Sequence, residues 1–211
     1  MKRLPEKTNL SLRSRVWRSR ILFFTAAPFL LLGVSRAVSA QDGPSLVVLV
    51  RHAEKAAQPA ADPPLTDAGT ARALALADAV AHSAPTAIIV TATKRTADTA
   101  IPSATKFGVT PLVISLAGGG ATHITAVAEA VRQQRGVVLV IGHSNTIPAV
   151  IRALGGPTLP DICDNTYNLL FILQPARDGH PAALIVSQYG AEHTVPSSNT
   201  PMNACTSAIA K

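Results

Sequence analysis

The chain has 211 residues, 47% of them hydrophobic and 15% charged, with a formal net charge of +7 and a pI near 10.0. Its positive charge is concentrated at one end: residues 1–40 hold eight of the 19 Lys/Arg but one of the 12 acids, so the remainder carries eleven of each. The basic pI thus belongs to the leader and not to the domain, and no nucleic-acid partner is expected.

The basic end reads as a secretory signal. Lys2, Arg3, Lys7, Arg13, Arg15, Arg18 and Arg20 precede the apolar stretch Ile21–Val34, and Val38-Ser39-Ala40 places small residues at a cleavage site. No Arg-Arg pair occurs there, which favours general export over a twin-arginine route. The apolar stretch is 14 residues, short of the roughly 20 that span a bilayer. Cleavage near Ala40 would export Gln41–Lys211 to the periplasm or exterior without a stable membrane span; left uncleaved, the stretch would act as an anchor. The 171 residues of the mature chain suffice for one domain with a substantial core. In an oxidising compartment its two cysteines, Cys163 and Cys205, are expected to pair.

Beyond the leader, strand and helix patterns alternate. Strands are predicted at Leu46–Val50, Ala87–Thr91, Pro111–Ile114, Val137–Ile141, Asn168–Leu173 and Ala183–Gln188. Thr66 caps a first helix that runs to about His82, with Asp67 in its first turn and Ala71, Leu74, Ala75 and Ala79 facing the sheet. A second helix follows Thr93 and is kinked or broken near Pro102. A third covers about Ile124–Gln134. The fourth begins after Ser144, holds Pro148 in its first turn and stops at Gly155-Gly156. Loops are expected at Ala56–Pro64 and Ala117–Ala121, and the tail Thr194–Lys211 reads as irregular. Short apolar strands joined by helices predict an α/β fold, a three-layer α/β/α sandwich around a mostly parallel sheet.

In such sheets ligands bind beyond the carboxyl ends of the strands. Arg51 and His52 follow the first strand, Arg95 lies four residues past Thr91, and His143 follows the fourth strand. Arginine presents a rigid fork of donors suited to phosphate, while histidine can be neutral and nucleophilic near pH 7. Phosphate chemistry at one rim is the expectation. His82, His180 and His193 read as surface residues, as do Lys55 and Lys94. Gly118-Gly119-Gly120 is not a phosphate-binding P-loop, because no Gly-Lys-Ser/Thr follows it.

Four segments in this order resemble the histidine phosphatase superfamily, which also includes phosphoglycerate mutases: Val50-Arg51-His52-Ala53-Glu54, Leu65-Thr66-Asp67-Ala68-Gly69, Arg95-Thr96 with Thr99-Ala100, and Gly142-His143-Ser144-Asn145-Thr146. The resemblance implies a phosphoglycerate mutase-like fold and a phosphatase that hydrolyses phosphomonoesters or similar phosphorylated compounds through a phosphohistidine on His52. Arg51, Arg95 and a protonated His143 would hold the phosphoryl oxygens, with His143 also catalytic. Some members carry an acid after the third strand, but Val113–Val127 contains no Asp or Glu. Glu54 is then the candidate acid, with Asp62 and His123 as further candidates. No cofactor is implied, and the partner is a small phosphorylated substrate. A mutase is less favoured, because little chain remains for segments that would close over a retained sugar-acid phosphate.

Three other readings compete. A phosphate-binding module of the same fold would hold phosphate without turnover. A serine esterase could use Ser144 with Asp161, Asp164, His180 or His193, although Thr146 replaces the second glycine of the Gly-x-Ser-x-Gly elbow. A metal held by His52 and His143 would be crowded by Arg51 and Arg95 with no carboxylate cluster to offset them, so no metal is expected.

Overall fold

The computed structural model describes residues 43–177 and 179–191. The leader through residue 40, the tail from Thr194, His193 and Cys205 lie outside the described residues, so the expectations on signal cleavage and the tail fall outside them too. Cys163 is disulfide-bonded.

The strands are β1 (Pro44–Arg51), β2 (Ala87–Thr91), β3 (Leu112–Ile114), β4 (Gly136–Gly142), β5 (Leu169–Gln174) and β6 (Ala183–Gln188). They form one sheet in the order β3-β2-β4-β1-β5-β6. The four strands from β3 to β1 are parallel, while β5 runs antiparallel to β1 and β6 antiparallel to β5. The expectation of a mostly parallel sheet therefore holds, with an antiparallel pair at one edge. Val47, Val48, Leu49 and Val50 are all buried, because helices cover both faces of β1 and leave no solvated side for polar alternation.

Helices α1 (Asp67–Ala79) and α2 (Lys94–Phe107) close one face, packing Leu76, Val80 and Ala100 on Val48, Val50 and Ile141. Helices α3 (Gly119–Arg132) and α4 (Thr146–Ala153) close the other, packing Val127, Val131, Ile147 and Ile151 on Val47, Leu49 and Val140. Among the described residues no helix is long and apolar enough to cross a membrane.

Three helical details differ from the sequence reading. The buried face of α1 is Gly69, Arg72, Ala73, Leu76 and Ala77, whereas Leu74 is 56% exposed and Ala71 lies outside. An alanine-rich helix has little apolar contrast, and the true stripe contains an arginine whose charge is met by Glu54. Helix α2 runs unbroken through Pro102. Burial of Thr96, Thr99, Ala100 and Ser103 on its inner face outweighs the roughly 3 kcal/mol that an interior proline costs. Helix α3 starts inside the glycine run that was expected as a loop. Its N-terminal part is anchored by buried His123, whose Nδ1 lies 2.9 Å from the Ser115 carbonyl.

The strand order sets β1 beside β4, and β4 beside β2. Their carboxyl ends thus bring Arg51-His52, His143 and the start of α2 to one rim.

Candidate active site

His52 follows β1 directly, and its backbone N–H donates to the Gly142 carbonyl at 2.9 Å, continuing the β1–β4 ladder. The next N–H, of Ala53, donates to Thr99 Oγ1 at 3.0 Å, and Thr99 Oγ1 donates to the Arg95 carbonyl at 2.7 Å. Thr99 therefore ties the histidine loop to α2. The His52 ring is buried and its Nδ1 lies 2.8 Å from the Ala53 carbonyl. A carbonyl can only accept, so Nδ1 carries the proton and Nε2 keeps its lone pair.

His143 stands opposite, ring centroids 5.4 Å apart at 65°. Its backbone N–H donates to Thr146 Oγ1 at 2.9 Å, which fixes the turn into α4. A side chain at Gly142 would meet Thr146 Oγ1 and Ile147 Cδ1 at 2.9 Å, so the close turn requires glycine there. On the ring, Nε2 lies 2.8 Å from Thr91 Oγ1 and Nδ1 lies 3.4 Å from an Arg95 amino group.

Arg51 is buried, and its Nη1 donates to the carbonyls of Cys163, Asp164 and Thr166 at 2.8, 2.9 and 3.2 Å. Its guanidinium carbon lies 4.3 Å from the centre of the Tyr167 ring, and that ring is 6.0 Å from His52. Neither Tyr167 nor the 163–166 loop carries a sequence pattern, and sequence reasoning missed both. The Nε atoms of Arg51 and Arg95 are buried without a hydrogen-bond partner. Two unpaired guanidinium donors in a water-poor site favour an anion, since a buried unsatisfied donor is otherwise costly.

Burial lowers the His52 pKa to about 3, with Arg51, His143 and Arg95 adding to the shift and the Ala53 hydrogen bond opposing it. Burial likewise lowers His143 to about 4, reinforced by Arg95, His123 and Arg51. Both rings are neutral at pH 7. For His52 that is the state a nucleophile needs. His143, expected as a cation, is instead neutral in the free site, because it is desolvated among cationic and imidazole neighbours. A lowered histidine pKa means that the unfolded chain binds the proton more tightly. The associated stability is thus fully present above pH 6.5 and is lost as pH falls towards 4 and 3. We expect Tm to drop steeply between pH 6 and 4, and the double substitution His52→Asn/His143→Asn to flatten that drop in a thermal-melt series.

The candidate acids are placed as follows. Both carboxylate oxygens of Glu54 accept from Arg72 Nε, at 2.8 and 2.9 Å, and Arg72 Nη2 lies 2.8 Å from Oε1. Arg72 Nη1 also donates to the carbonyls of Tyr189 and Ala191 at 3.1 and 3.2 Å. The Glu54–Arg72 pair thus clamps α1 and the segment 189–191 after β6 to the exit of β1. Asp62 accepts from the Lys94 N–H at 2.9 and 3.1 Å and lies 3.6 Å from Arg95 Nη1. It caps α2, whose N-cap Thr93 supplies no side-chain bond, and it steadies Arg95. His123, on α3, is buried and lines a small cavity together with Thr91 and Thr146. Glu54→Gln is expected to lower stability by roughly 2–3 kcal/mol, less than the roughly 3–5 kcal/mol of a fully buried broken pair because the carboxylate is 17% exposed. The same variant should leave the pH profile of turnover in place, which a lost general acid would not.

Among the described residues no cluster of three or more His, Cys, Asp or Glu could hold a metal. The Ser144 hydroxyl meets no histidine among them; Asp164 lies 3.8 Å from Arg51, and His180 bonds the Arg177 main chain.

A family model described as the histidine phosphatase superfamily (branch 1) matches residues 47–115. No curated protein sequence matches the chain. Among solved structures, SixA from Agrobacterium tumefaciens is 23% identical, with a TM-score of 0.53 over 71% of this chain and 99% of that one. A structure of the protein histidine phosphatase SixA complexed with tungstate is 16% identical, with a TM-score of 0.54 over 68% and 96%. The mycobacterial glucosyl-3-phosphoglycerate phosphatase with inorganic phosphate is 17% identical, with a TM-score of 0.50 over 72% and 99%. At these identities the structural likeness establishes the phosphoglycerate mutase-like fold.

Proposed function

From its place in the histidine phosphatase superfamily, we propose that this chain is a phosphatase that hydrolyses small phosphorylated compounds through a phosphohistidine on His52. The observation that carries the reading is the His52 ring. It is neutral, its Nδ1 is committed to the Ala53 carbonyl, and its Nε2 is left as the nucleophile in the field of Arg51 and Arg95, whose Nε atoms are unpaired.

Arg51 and Arg95 take the phosphoryl oxygens and offset the charge that spreads over them as the group passes in line from leaving oxygen to Nε2. Arg51 can be rigid there because three loop carbonyls hold its other side. Water then attacks the phosphorus, and the electron pair of the breaking P–N bond returns to Nε2. SixA with tungstate and the mycobacterial phosphatase with phosphate, both oxyanion complexes on this fold, support the pocket's assignment. A basic leader and a disulfide-bonded Cys163 support an exported enzyme.

The test is hydrolysis of an activated aryl phosphate in the presence of a chelator, with the enzyme quenched during turnover. An acid-labile, hydroxylamine-sensitive phosphoryl label on histidine is expected. Phosphate binding without label or turnover would leave only a binding module, and labelling of Ser144 by a fluorophosphonate would favour an esterase.

A further inference from the structure

The stretch Val113–Val127 offers no carboxylate, and the structure commits Glu54 to Arg72 and Asp62 to the cap of α2. The leaving oxygen still needs a proton whenever the alcohol is a poor leaving group. One group facing His52 can carry it, and an uncharged residue decides which of its nitrogens does so.

Thr91 ends β2 and is buried, as is Thr96 in the first turn of α2. Thr96 Oγ1 donates to the Thr91 carbonyl at 2.7 Å, so its oxygen is open to accept. Thr91 Oγ1 donates to it at 3.1 Å. With its one proton spent, Thr91 Oγ1 can only accept from His143 Nε2, 2.8 Å away. The other side of the ring gives the same answer independently. An Arg95 amino group, which can only donate, faces Nδ1 at 3.4 Å. The neutral ring therefore carries its proton on Nε2 and its lone pair on Nδ1, directed to the arginine of the phosphate pocket. The charged and titratable groups around it are Arg95, Arg51, His123 and His52.

We propose that Thr91 is a positioning residue: through the Thr91–Thr96 hydroxyl chain it fixes His143 as the Nε2–H tautomer, and so makes Nδ1 the atom that carries the leaving-group proton in place of the missing carboxylate. The inference rests on the phosphatase reading above. A phosphoryl dianion beside Arg51 and Arg95 favours a proton on Nδ1, which the substrate's own monoanion can deliver. In the first step the His52 Nε2–P bond forms, the P–O bond breaks, and the Nδ1 proton of His143 passes to the leaving oxygen. In the second step a water oxygen bonds phosphorus, the P–N bond breaks with its electron pair returning to His52, and the water's proton goes to His143 Nδ1. One ester and one water become one alcohol and one phosphate, and His143 ends with the proton it began with.

The test compares wild type, Thr91→Val and Thr91→Ser on 2,4-dinitrophenyl phosphate, whose leaving group needs no proton, and on phenyl phosphate, whose leaving group does. Thr91→Val should lose at least tenfold more kcat/KM, which reports the steps through P–O cleavage and not the hydrolysis common to both, on the phenyl ester than on the dinitrophenyl ester, and Thr91→Ser should restore the ratio. An equal loss on both esters, no loss on either, or failure of serine to rescue would overturn the proposal. Nitrogen-15 spectra of the His143 ring read the tautomer without turnover: Nε2–H is expected in wild type and Thr91→Ser, and a tautomer mixture in Thr91→Val. An Nδ1–H tautomer in wild type overturns the proposal even if both esters are hydrolysed. Wild type inert on both esters with the expected tautomer overturns the phosphatase reading and the proton-carrying role that depends on it.

Discussion

His52→Ala is expected to reduce turnover of an activated aryl phosphate by at least about 10⁴-fold and to abolish the histidine-bound phosphoryl label. Loss of a covalent nucleophile removes the whole two-step route and not one contact within it, which is why such losses are among the largest measured for single substitutions. The fold should survive. The ring is desolvated and disfavours its own charged form, so its removal eliminates a group that costs stability at low pH, and the β1–β4 ladder bond of residue 52 is made by its backbone. Phosphate should still bind, because Arg51 is held by the carbonyls of residues 163, 164 and 166 and Arg95 by its place on α2. Steady-state kinetics, a phosphate-binding titration and a thermal melt on the same preparation separate these effects. Retained turnover in a folded variant would remove His52 from the mechanism.

The second large effect is structural. Gly69→Ala should lower stability by roughly 3–4 kcal/mol, above the usual range of about 1–3 kcal/mol for overpacking, because the obstructing neighbour is backbone. A Cβ at position 69 would stand 2.2 Å from the Glu54 carbonyl oxygen and 3.1 Å from the Glu54 nitrogen. That oxygen already accepts from the Thr66 N–H at 2.9 Å and from Thr66 Oγ1 at 3.3 Å, so it cannot simply rotate away. Helix α1 must lift instead, and with it goes the hold of Arg72 on Glu54, two residues from His52. A fall in Tm of the order of 10 °C is expected for a chain of this size, with activity falling as well. Gly120→Ala is the control. Nothing lies within 4 Å of its added Cβ, and in helix α3 it should gain about 0.5–1 kcal/mol. A Gly69→Ala variant as stable as wild type would show that α1 is not docked on Glu54 in this way.

The two substitutions also divide the motifs by task. Leu65–Gly69 does no chemistry: Thr66 caps α1 through Gly69, and the absent side chain of Gly69 lets the helix touch the chain that carries His52. Thr99 works in the same manner, linking the Ala53 N–H to the Arg95 carbonyl. Part of what resembles an active-site signature is scaffolding that sets the nucleophile's backbone.

What the amino-acid sequence determined by itself is local. A run such as Leu46–Val50 is legible as a strand buried on both faces because burial leaves no polar alternation, and residues at the ends of such strands must meet at one rim once the strands are parallel. His52, His143, Arg51 and Arg95 could be named on those grounds. The tertiary structure decided whatever depends on a partner distant in sequence. The inner face of α1 is not legible in the sequence, because Arg72 is buried only by virtue of Glu54, 18 positions earlier. Glu54 and Asp62 looked like candidate acids until the fold supplied Arg72 and the bare N-terminus of α2 as their partners. The charge of His143 follows from its burial and from Arg95, and the placing of its proton from a threonine 52 residues away. Hydrogen bonding and desolvation act through space, so residue type and spacing reveal which groups can react, while their protonation and orientation emerge only when the chain has folded around them.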